Sequence, residues 1–75
     1  MKVRTTYCPP TLTKPARILV VDVNSKNEKY FPVQKFRFPL GAMCKDAALE
    51  YFGDRYKGSL HVTKDGEDYL FEVLS

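Results

Sequence analysis

A chain of 75 residues with 44% hydrophobic and 28% charged content is expected to be one small domain, residues 1–75, with a narrow stability margin of roughly 3–5 kcal/mol; wholesale disorder is disfavoured. Its longest apolar run, Ile18-Leu19-Val20-Val21, cannot span a bilayer. Residues 1–7 lack the apolar stretch of a signal peptide, so a cytoplasmic location with no membrane partner is expected.

The net charge of +3 conceals a split. Residues 1–45 hold nine bases and two acids, a net of +7, and residues 46–75 hold three bases and seven acids, a net of −4. Such asymmetry is a cue for binding something charged.

In chain order, residues 1–7 alternate weakly and are consistent with an extra, short edge strand. Residues 8–15 carry three prolines, which fix φ and remove ladder donors, so they read as an extended connector. Residues 16–23 are β-branched and apolar, a strand. Asn24-Ser25-Lys26-Asn27 is a turn by composition, and residues 28–38 return as a second strand, with Pro32 at a bulge or an edge. Closing that hairpin at Asn24 and Asn27 pairs Asp22 with Lys29 and Val20 with Phe31. Both of its faces are apolar: Ile18, Val20, Phe31 and Val33 on one, Leu19, Val21, Val23 and Tyr30 on the other. One face should meet a helix; the other needs cover from residues 1–15 or from a partner.

Pro39 separates strand from helix. Residues 41–53 are rich in helix formers, and Gly53 suits a C-terminal stop. Residues 58–64 and 67–74 form a hairpin about Asp65-Gly66, with Leu60, Val62, Tyr69, Phe71 and Val73 facing inward. The fold class is therefore α+β: an antiparallel sheet, β-β-α-β-β with room for the extra N-terminal strand, packed against one α-helix.

No catalytic constellation is present, and no cofactor or metal site is expected. The single His61 falls on the polar face of a strand, Cys44 on the core side of the helix, and Cys8 beside Pro9. Two cysteines in a reducing compartment are expected to stay free thiols. No Cys-x-x-Cys or glycine-rich phosphate loop occurs. Two charged surfaces are the candidate partner-binding sites. One is a basic patch of Lys29, Lys35 and Arg37, interleaved with aromatics in Lys35-Phe36-Arg37-Phe38. Such a strand could stack bases and meet phosphates, although a half-buried strand has the same alternation. The other is an acidic ridge of Asp46, Glu50 and Asp54 at i, i+4, i+8, which could meet a basic partner or simply be a solvated helix face. Tyr30, Leu49 and Tyr56 are candidate apolar contacts.

The run Lys14-Pro15-Ala16-Arg17-Ile18, the apolar hairpin, the helix Lys45-Asp46-Ala47-Ala48-Leu49-Glu50-Tyr51-Phe52-Gly53 and the final Gly-Ser-Leu-His-Val hairpin resemble, in layout, small phage-encoded accessory proteins. Some anti-CRISPR inhibitors share this short sheet on one helix. The resemblance covers about residues 14–73 and implies a non-enzymatic protein that occupies a surface of a host protein or ribonucleoprotein complex. The alternative is a small nucleic-acid-binding module using the basic N-terminal half. Self-association as a homodimer is compatible with either.

Overall fold

The computed structural model describes residues 1–33, 39–55 and 58–74, with Asp54 described by its backbone alone. Among them the elements are β1 (Lys2–Cys8), β2 (Arg17–Asp22), β3 (Glu28–Pro32), α1 (Leu40–Phe52), a single 3-10 turn (Gly53–Arg55), β4 (Ser59–Asp65) and β5 (Asp68–Leu74). The strands form one antiparallel sheet in the order β3-β2-β1-β5-β4, and α1 crosses β1, β2 and β5 on one face. The α+β class holds, with the order β-β-β-α-β-β.

β1 lies elsewhere in the sheet than its sequence suggests. It is no edge strand but the centre of the sheet, paired with β2 through Thr5↔Val20 and with β5 through Val3↔Phe71. Val3 and Thr5 are fully buried. The weak sequence signal has a physical reason. Only one face of β1 meets the core, so Val3, Thr5 and Tyr7 alternate with Lys2, Arg4 and Thr6. The one polar side chain in that buried set is satisfied, since the Thr5 hydroxyl donates to the Tyr69 carbonyl at 2.9 Å.

Both hairpins sit two residues away from the expected register. In the first, Ile18 faces Phe31 and Leu19 faces Tyr30, and the Asp22–Lys29 pair is replaced. Asp22 instead organises the turn. Its carboxylate accepts from the Asn24 and Ser25 N–H groups at 3.0 and 3.2 Å, and its carbonyl accepts from Lys26 N–H at 2.8 Å. In the second, Asp65 pairs with Asp68, so the two central turn residues are Gly66 and Glu67. Gly66 has φ +64 and Glu67 does not have positive φ. A two-residue turn with glycine first avoids placing Asp65 in the left-handed region. A shift of two preserves parity, and so the inward faces stand: Phe71 and Val73 are buried, Leu60 and Tyr69 pack against the core, and Val62 overhangs the sheet edge at 51% exposure.

The core lies between sheet and helix: Val3, Ile18, Val20, Phe31, Phe71 and Val73 below, Met43, Cys44, Ala47, Ala48 and Phe52 above. The helix approaches closely because its sheet-facing residues are small at Ala47 and Ala48, and because Gly41 meets the Tyr69 ring, where an added Cβ would lie 3.2 Å from Cε1. At its end Gly53, φ +55, returns its N–H to the Leu49 carbonyl. Arg55 donates to the Tyr51 and Phe52 carbonyls and lies 5.1 Å over the Tyr51 ring. The Tyr51 hydroxyl donates to Asp22 at 3.1 Å, joining the helix end to the first turn.

Candidate binding surface

The face of the sheet opposite α1 carries Lys2, Arg4, Thr6 and Cys8 from β1 and Arg17, Leu19 and Val21 from β2. Tyr30 follows from β3, and Leu70 and Glu72 from β5. No described helix or strand lies over this face. The second apolar face of the first hairpin is therefore not covered by β1, which was expected to help cover it. β1 adds to its edge instead, and in residues 9–16 Leu12 is fully exposed and the Thr11 hydroxyl accepts from Lys14 N–H.

Charge on this face is partly neutralised from within. Arg4 splits its guanidinium between Asp65 at 2.7 Å and Asp68 at 2.8 Å. These hydrogen bonds, Asp65 first, hold the Arg4 pKa above its usual value. A base from the positive half of the sequence thus bridges two acids from the negative half and offsets half of their charge, and those acids stand directly opposite each other across the hairpin. Some of the sequence's charge asymmetry is consumed by folding. Lys2 likewise faces Glu72 across β1 and β5.

A groove of about 260 Å³ opens on the same face, lined by Lys2, Arg4, Val21, Val23, Lys26 and Leu70. Val21 and Leu70 flank Arg4 on the two neighbouring strands, and Val23 N–H donates to the Lys2 carbonyl at 3.0 Å, fixing the turn beside the start of β1. Three of the lining residues are aliphatic and three are cationic, and of the cations Arg4 is held by Asp65 and Asp68 and Lys2 faces Glu72. Farther along, the Arg17 guanidinium lies 5.3 Å over the Tyr30 ring, which is 52% exposed.

The residues singled out from sequence are distributed differently. Lys29 lies on the helix-side face of β3, its ammonium 5.2 Å over the Phe31 ring. Lys35 and Arg37, the rest of that basic patch, lie outside the described residues, as does Tyr56. Asp46 and Glu50 are exposed on the solvent side of α1. The helix ends at Phe52, so Asp54 belongs to the 3-10 turn rather than the third helical step of a ridge. Leu49 is half-buried, and Tyr30 is on the open face. Sequence reasoning missed Lys2, Arg4, Arg17 and Lys26 as one surface, because only the central position of β1 brings them together.

His61 is exposed on β4, opposite Glu72. Cys44 is buried, and that burial pushes its thiol pKa up, against a weaker lowering by the Thr5 hydroxyl. Cys8 and Cys44 are both free thiols and lie on opposite faces of the sheet. Among the described residues no group of three His, Cys, Asp or Glu side chains is placed to hold a metal ion, and no helix is long and apolar enough to cross a membrane. Comparison with protein-family models, with curated proteins and with solved structures gave no match.

Proposed function

We propose that the protein is a non-enzymatic binding protein that acts by laying the outer face of its sheet on a larger macromolecule. The partner is a host machine, a protein or ribonucleoprotein complex, blocked by a phage- or mobile-element-encoded inhibitor of the anti-CRISPR kind. One observation carries this reading: a two-layer fold whose second sheet face keeps Leu19, Val21, Leu70 and Tyr30 among Lys2, Arg17 and Lys26, with no described element above them. Apolar area rimmed by cations is suited to an acidic protein surface, where shape supplies affinity and charge supplies rate. The strand patch Lys29, Lys35 and Arg37 and the acidic residues Asp46, Glu50 and Asp54 are the competing surfaces.

The experiment is capture from bacterial lysate by the tagged full chain, with and without nuclease, followed by binding measurements on the captured partner. The outer-face reversal (Lys2→Glu, Arg17→Glu, Lys26→Glu) is expected to abolish capture. Reversals of the strand patch and of the acidic residues are expected to leave it.

A second reading, binding of single-stranded nucleic acid, is favoured by the Arg17–Tyr30 stack alone, an aromatic and a cation presented together on an open sheet face. Nuclease sensitivity and a steep fall of affinity with salt would identify it.

A further inference from the structure

Lys26 is the single described non-glycine residue with positive φ, at +67. An L side chain there sets Cβ against the following carbonyl, which is why glycine and asparagine normally occupy such positions. Lys26 closes the β2–β3 turn through its N–H to the Asp22 carbonyl, and it lines the groove with Lys2, Arg4, Val21, Val23 and Leu70. A strained backbone at a groove rim is the pattern expected where a side chain is retained for contact rather than for folding.

We propose that this groove is the point where an acidic peptide segment of the partner docks, one carboxylate meeting Lys26 and Lys2 while the neighbouring aliphatic side chain enters between Val21, Val23 and Leu70. The inference deepens the outer-face reading and rests on it. Its chemistry follows from the lining. About 260 Å³ is below the usual volume of a drug-sized ligand site and suits one or two side chains. The floor is aliphatic and offers no ring on which a base could stack. Acids surround the site: Asp65 and Asp68 already hold Arg4, Glu72 faces Lys2, and Glu28 faces Val21. A continuous polyanion would run against those carboxylates. A single carboxylate carried beside an apolar group would not.

The test titrates the isotope-labelled full chain with acetyl-Leu-Glu-Leu-amide and acetyl-Leu-Gln-Leu-amide, following backbone amide resonances. The acidic peptide is expected to move Val23, Lys26 and Leu70, and to bind about fivefold tighter than the neutral one, the scale of one exposed ion pair. Lys26→Asn is expected to reduce that preference, leaving what Lys2 supplies, and to leave the neutral peptide's affinity unchanged. Because asparagine tolerates the left-handed region, the melting temperature of Lys26→Asn should equal or exceed the parent's. Equal affinity for the two peptides, or shifts confined to other surfaces, would overturn the proposal. So would a Lys26→Asn variant that loses both stability and binding, since Lys26 would then be structural. Tighter binding of an eight-nucleotide thymidine oligomer in the groove, weakening steeply with salt, would assign it to nucleic acid and overturn it too. If the two peptides bind equally while the outer-face reversal still abolishes partner capture, the groove proposal fails and the outer-face reading survives. If capture survives the reversal, that reading fails, and the peptide comparison still judges the groove.

Discussion

The Asp22 carboxylate meets the Ser25 and Asn24 N–H groups and the Tyr51 hydroxyl, so one side chain fixes the first turn and ties it to the helix end. The Ser25 contact is the chief cause of its lowered pKa, with Asn24, Tyr51 and the nearby Arg55 acting the same way against partial burial. A carboxylate lowered on folding contributes stability in full above its unfolded value, about 3.9, and loses it as pH falls through the lower folded value. Asp22→Asn should therefore destabilise the protein at neutral pH, and the difference from the parent should shrink in acid; urea melts at pH 7 and at successively lower pH values below about 4 measure this. Tyr51→Phe removes one of those contacts and should cost about 1 kcal/mol. In the core, Phe71 is 1% exposed beneath the helix, and Phe71→Ala should cost about 3–5 kcal/mol, enough to unfold much of the population. A stable, cooperatively melting Phe71→Ala protein would contradict its placement.

At the scale of elements, faces were legible in the sequence and registers were not. Strand parity is set by Ile18, Val20, Phe31, Phe71 and Val73, and a two-residue slip leaves every one of them inward. The slip is decided by turn chemistry that composition does not rank: an Asp22 side chain capping its own turn, and a glycine taking the first rather than the second central position. Gly66→Ala should thus cost about 1–2 kcal/mol, the penalty for a Cβ in the left-handed region, read from denaturant midpoints. The place of β1 was illegible for another reason. A central strand in a sheet covered on both faces is a continuous apolar run, whereas β1 spends half its residues on an open face. The binding surface escaped with it, since Lys2 and Arg4 meet Val21 and Leu70 only through pairing across 60 or more positions of sequence for β5. The Arg4 contact gives a further check. Arg4→Met leaves Asp65 and Asp68 facing each other, so added salt should raise the variant's melting temperature relative to the parent's, by screening repulsion in one and an ion pair in the other.

At the scale of the whole molecule, among the described residues one helix covers one side of the sheet and no helix or strand lies over the other. The sheet separates Cys8 from Cys44, so freshly purified protein should have the same intact mass before and after reduction; a two-proton deficit would contradict the layering. The sequence's opposed charges meet along the β1–β5 seam and partly cancel there. What is left on the open face is Arg17 and Lys26 beside aliphatic residues, with Glu28 on the same face, and the function proposed depends on those two cations.

The measurement that tests this most directly is the affinity of the captured partner for the triple variant Lys2→Glu, Arg17→Glu, Lys26→Glu, with the melting temperature recorded on the same preparation. Lys26 is exposed, but Lys2 and Arg17 are half-buried and Lys2→Glu sets a like charge opposite Glu72, so the melting temperature should fall while the protein stays folded, and partner binding is lost, first through a slower association rate. A folded variant that binds its partner as tightly as the parent would show that the open face of the sheet is not the working surface.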